Sequence, residues 1–121
     1  MASELRVTTI ANNAGTESVN TTYVVNGSAK AWHRGDSTGT SLLDSLNVSS
    51  LGDTNTGTQT VNLTSSMSSV NYQASSCIME NNTLLPRIYN AATGSYVSGV
   101  RNTSASLTDA AQATAIHGDL A

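Results

Sequence analysis

The chain has no phenylalanine, one proline (Pro86), one cysteine (Cys77) and one tryptophan (Trp32) among 121 residues. A single cysteine excludes an intrachain disulfide. No apolar run reaches the length of a membrane-spanning helix, and no signal peptide is evident. Charge is also scarce: five basic and eight acidic residues make up 11% of the chain, against about a quarter in ordinary domains. The basic residues Arg6, Lys30, Arg34, Arg87 and Arg101 are scattered and the pI is about 5.0. They form no basic stripe, so nucleic acid is not an expected partner.

Serine, threonine and asparagine fill the space, with 18, 17 and 12 copies, whereas leucine, isoleucine and valine together number 23. So small an apolar fraction points toward disorder when net charge is high, but here the net charge is only −3. A polar, nearly uncharged chain of this length instead suits one all-β domain whose sheets carry Thr, Ser and Asn outward. Its modest core would be completed by a neighbouring copy, because small domains bury a lesser share of their surface.

Period-two alternation supports that reading. Leu5, Val7 and Thr9 alternate with Arg6, Thr8 and Ile10 before Asn12-Asn13-Ala14-Gly15 breaks the pattern. A second β-prone stretch, 19–25, ends at Asn26-Gly27, a turn signal. Residues 1–27 are therefore expected to form an N-terminal arm, and 28–121 a small antiparallel sandwich or barrel-like domain. Strands are expected at 28–34, with Ala29, Ala31 and His33 on one face, and at 42–49. Others are expected at 59–64, with Val61 and Leu63 in phase, and at 70–79. The pair 84–91 and 96–102 flanks a hairpin loop at 92–95. Residues 108–116 suit either a short helix capped by Thr108 or a strand with Gln112, Thr114 and Ile116 on one face. The strand is adopted.

No catalytic or metal constellation stands out. Any of 18 serines with either histidine draws a Ser-His-Asp triad, which is uninformative, and no Gly-x-Ser-x-Gly elbow occurs. Glu17, Glu80 and Asp109 are the available glycosidase-type carboxylates, but the chain is short for a substrate groove. His33, Cys77 and His117 lack the close spacing of a zinc site. Arg34-Gly35-Asp36 reads as a turn, and six Asn-x-Ser/Thr sequons reflect composition. No enzyme activity and no cofactor are expected. Tyr89 and Tyr96, flanking the hairpin, and Asn81 and Asn82 at a polar tip are the candidate contacts to a glycan or protein surface outside the chain.

The ordered blocks Ala29-Lys30-Ala31-Trp32, Asn47-Val48-Ser49-Ser50, Thr60-Val61-Asn62-Leu63-Thr64 and Asn71-Tyr72, with Ala115-Ile116-His117-Gly118-Asp119, carry a resemblance. Together they resemble a β-domain of tail-fibre or appendage proteins in the virions of marine and freshwater tailed bacteriophages. The start Ser3-Glu4-Leu5-Arg6-Val7 is similar to starts in the same group. The resemblance implies a non-enzymatic virion protein, made in the host cytoplasm and assembled as a homotrimer with other virion proteins. A capsid decoration or head-fibre protein is the alternative in the same class, and a carbohydrate-binding module the alternative in another. Leu5, Val7 and Ile10 would anchor the attachment arm. The sequence departs from the pattern at His33, where an apolar residue is usual, and at His117, where Phe is. Both rings are therefore expected to be at least partly buried as a titratable pair.

Overall fold

The alternation in residues 112–117 shows how the chain folds. Gln112, Thr114 and Ile116 point into a core, while Ala113, Ala115 and His117 point away from it. The structure, a computed structural model, describes residues 3–80 and 83–121. It is all-β apart from one seven-residue helix. A small hairpin, β1 (Thr9–Ala11) and β2 (Ser18–Asn20), leads into α1 (Thr21–Gly27). Eight strands follow: β3 (Ala29–Gly35), β4 (Leu42–Leu46), β5 (Val48–Asn55), β6 (Thr58–Leu63), β7 (Gln73–Ile78), β8 (Leu85–Tyr89), β9 (Ser95–Arg101) and β10 (Gln112–His117).

These eight strands make two four-stranded antiparallel sheets, ordered β4-β3-β10-β7 and β5-β6-β9-β8. Their inner faces meet as a sandwich. His33 of β3 bonds Gln59 of β6, and Thr114 of β10 bonds Tyr96 of β9. The first and last strands of the sandwich are paired at its centre, with His33 opposite Thr114 and Trp32 opposite Ala115. Pro86, which has no N–H to donate, lies on edge strand β8, where its absence costs no interior ladder.

The core has an apolar part and a polar part. Ala31, Val48, Val61, Leu63, Met67, Tyr96 and Ile116 form the apolar cluster. His33, Gln59, Ser98, Gln112 and Thr114 are buried beside it. Each strand's inward phase is shared by its neighbour, as the fixed period of a sheet requires.

Three sequence expectations change. The stretch 42–49 is not one strand, because Asn47 adopts a left-handed backbone (φ 56°) that divides β4 from β5. Its side chain then clamps Ser65, accepting from the backbone N–H at 2.7 Å and donating to the carbonyl at 3.0 Å. Asparagine tolerates this conformation better than most residues. The strand β5 runs through 48–55, beyond the end of the stretch expected at 42–49. The valine-rich stretch 19–25 does not run on as a strand. Asn20 caps a helix there, its side chain accepting the Thr22 N–H at 2.8 Å, and the helix closes where Ser28 N–H donates to Val24. No described helix is long and apolar enough to cross a membrane.

Candidate functional site

The hairpin and helix before the sandwich are built locally. Asn12 shapes the β1–β2 turn, accepting from Thr16 N–H at 3.0 Å and donating to Thr16 Oγ1 at 3.0 Å, while Gly15 takes a left-handed φ of 67°. Thr21 ties the helix to the incoming chain. Its N–H donates to Thr8 O at 2.9 Å and its hydroxyl to Val7 O at 3.0 Å. These bonds set α1 beside residues 5–10. The result is an open, mostly apolar groove of about 430 Å³ lined by Leu5, Val7, Ile10, Val24 and Val25, with Arg6 and Thr21 at its rim.

This unit buries almost nothing of its own. Both strands are exposed throughout and the helix has no buried residue. Seven of the fourteen exposed large apolar side chains among the described residues lie between Leu5 and Val25, and Leu5 is 85% exposed. An isolated seven-residue helix and a two-stranded hairpin are each marginal in water. Leu5, Val7 and Ile10, the expected arm anchors, are thus brought together with Val24 and Val25 on one uncovered surface.

A second surface is the outer face of the β4-β3-β10-β7 sheet. Leu46, Trp32, Ala115 and Ser75 form one row across it, and Asp44, Arg34, Ala113 and Cys77 the next. The small residues leave a groove of about 320 Å³ beside the half-buried Trp32. Arg34 and Asp44 place opposite charges at its edge. Cys77 is an exposed free thiol.

The other expected site residues are dispersed. Tyr96 is not a surface contact: it is 0% exposed, in inward phase with Ser98 and Val100. Its hydroxyl bonds Thr114, and burial pushes its pKa up to about 12. Tyr89 is half-buried, with the Arg87 guanidinium 4.2 Å from its ring centroid, so a cation already occupies one face. Asn81 and Asn82 lie outside the described residues. His33 and His117 are not a pair. His33 faces the core, 1% exposed, whereas His117 is half-buried on the outer face with Nδ1 3.1 Å from Gln73 Oε1. The strand phase that carries Ile116 inward turns its neighbour outward.

Sequence reasoning missed the polar network around His33. Gln59 Nε2 donates to His33 Nε2 at 3.1 Å, so the neutral ring carries its proton on Nδ1. Nδ1 then donates to Thr114 Oγ1 at 2.7 Å, and a further hydrogen bond joins the Thr114 and Tyr96 hydroxyls. Burial lowers the His33 pKa to about 4. Inward alternation of Gln59 with Val61 was the available signal. Among the described residues, no group of three or more His, Cys, Asp and Glu side chains is placed to hold a metal. No family model matches this chain, and neither a curated protein nor a solved structure is similar to it.

Proposed function

We propose that this chain is a non-enzymatic structural subunit of a tailed-bacteriophage virion, a small tail-fibre or appendage protein. Residues 3–28 would attach it to the particle, and the sandwich would project as a homotrimer. The observation that carries this reading is the uncovered groove of Leu5, Val7, Ile10, Val24 and Val25. A unit with so much exposed apolar surface and so little burial gains its stability from a surface outside the chain. The sandwich beyond it has its own core cluster, which suits a division between attachment and projection. The outer sheet face around Trp32 and Leu46 supplies an apolar area for the trimer contact. Closed symmetry would cover three such faces at once.

A capsid decoration or head-fibre role uses the same two surfaces and differs only in where the arm docks. The carbohydrate-binding alternative loses one expected platform with Tyr96 in the core. It would have to use Trp32 or Tyr89 instead.

The experiment is incorporation of variants into particles. A chain lacking residues 1–28 is expected to keep the β-sheet spectrum of the sandwich but to be absent from purified particles. Val7→Asp with Val25→Asp is expected to do the same in the full-length chain. Normal occupancy of particles by both variants would overturn the proposal.

A further inference from the structure

Three of the chain's five basic residues are answered by groups of the chain itself. Arg6 is ion-paired with Glu4, Lys30 donates to the Ser28 carbonyl beyond α1, and Arg34 stands opposite Asp44 in the sheet register. Arg87 and Arg101 are not. Nε of each is shielded from solvent without a hydrogen-bond partner, and among the described residues neither forms an ion pair. Both lie on the outer face of the β5-β6-β9-β8 sheet. Tyr96, Ser98 and Val100 are the inward phase of β9, so Gly99 and Arg101 face outward. Arg87 is opposite Gly99 and Leu85 opposite Arg101, which makes the two arginines diagonal neighbours on that face.

Arg87 is held in place. Gly99 has no left-handed backbone, so its missing side chain serves space rather than conformation. A Cβ there would lie 3.0 Å from Arg87 Nε and 3.4 Å from its Cγ, so the arginine stem lies across the glycine. The Tyr89 ring, 4.2 Å from the guanidinium carbon, steadies its head. The strand rows around it carry no acid. Thr60 and Val97 share a row with Tyr89, and Thr58 and Asn55 share one with Arg87. Beside them Asn62 donates to Ser50 at 3.1 Å, and the Thr54 and Thr60 hydroxyls are 3.2 Å apart. Asp109, at the β5–β6 turn, is committed to the Gly57 N–H at 2.5 Å. Two unanswered cations therefore stand on a face of hydroxyls and amides, in a chain whose net charge is −3. Buried donors left without an acceptor call for an external partner.

We propose that this face binds an acidic polysaccharide, with Arg87 and Arg101 each receiving one anionic group of the polymer. Diagonal partners in a sheet stand about 7–8 Å apart at the backbone. Separate anions repeated along a polymer suit that separation better than one shared anion. A guanidinium fork matches an oxyanion with two parallel hydrogen bonds. The neighbouring Thr and Asn side chains offer donors and acceptors to sugar hydroxyls. An acidic peptide would draw most of its binding energy from buried apolar anchors, and the rows beside Arg87 are mostly Thr and Asn instead. The inference does not rest on the virion reading, because this face shares no residue with the groove of Leu5 and Val25.

The test is calorimetric titration of the purified full-length chain with polygalacturonate and with dextran sulfate, a carboxylated and a sulfated probe. The expected result is saturable binding that weakens as NaCl is raised and is absent with neutral dextran. Arg87→Gln with Arg101→Gln is expected to lose about tenfold or more in affinity while keeping the β-sheet spectrum. Arg6→Gln with Arg34→Gln removes the same two charges elsewhere and is expected to keep wild-type affinity. The proposal is overturned if neither probe binds, or if the folded Arg87/Arg101 variant binds like the wild type. It is equally overturned if both double variants lose affinity alike, which would mark a non-specific charge effect. Tighter binding of poly-glutamate, lost in the Arg87/Arg101 variant, would give the face to an acidic protein segment and overturn it as well.

Discussion

Thr114 Oγ1 lies 2.7 Å from Nδ1 of His33, a side-chain bond inside the sandwich between directly opposed residues of its first and last strands. It belongs to a chain running from Gln59 through His33 and Thr114 to Tyr96, all neutral and all buried. A second proton on the ring would force Gln59 N–H against another donor. With the folded pKa near 4 and an unfolded value near 6.5, the unfolded chain binds more protons between those values. Stability is therefore full above about pH 6.5 and falls as pH drops toward 4. Equilibrium unfolding is expected to lose about 2 kcal/mol between pH 7 and pH 5, and His33→Gln to flatten that loss. An identical loss in both proteins would place the ring in solvent.

Gly57 combines a left-handed backbone with a close approach. Its φ is +64°, and a Cβ there would lie 2.4 Å from Thr108 O. Gly57→Ala is expected to destabilise by about 1–3 kcal/mol from the backbone alone, with the collision adding to it. Chemical denaturation measures this directly. A cost below that of an ordinary surface substitution would show that the hairpin turn and the Thr108 segment are not in contact.

Core and arm should respond oppositely to truncation. Ile116 is fully buried, and Ile116→Ala is expected to cost about 2–5 kcal/mol. Leu5→Ala, at an exposed position, is expected to change stability by less than about 0.5 kcal/mol while weakening attachment. If Leu5→Ala destabilised the isolated chain as Ile116→Ala does, the groove would be part of the fold rather than a docking surface.

Self-association is expected to give a particle of three times 12.5 kDa in light scattering. Trp32→Ala with Leu46→Ser is expected to shift it toward the monomer, since both side chains stand in one row of the outer face. A monomer at micromolar concentration for the wild type would remove the trimer from the account.

Much of the sandwich was legible because alternation fixes which face is buried. Ala31 with His33, Val61 with Leu63, and Thr114 with Ile116 all follow it. The same rule held the correct answers for Tyr96, in phase with Val100, and for His117, in phase with Ala113 and Ala115. There, proximity to a hairpin and the replacement of Phe outweighed phase. Two features needed tertiary context. Asn47 divides a strand only because its side chain finds Ser65. The Asn20 cap turns a β-prone valine stretch into helix. The N-terminal apolar groove follows from that helix, so its composition from Leu5 and Val25, 20 positions apart, could not be read from spacing.

The central claim is that this chain is a virion subunit attached by its N-terminal unit. The most direct measurement is a cryo-electron microscopy reconstruction of particles produced from the genome that encodes it. The account predicts the sandwich as three-fold density in a tail fibre or appendage, with residues 3–28 seated against another virion protein and the Leu5–Val25 groove covered. Particles that lack the chain, or that hold it with that groove open to solvent, would contradict the account.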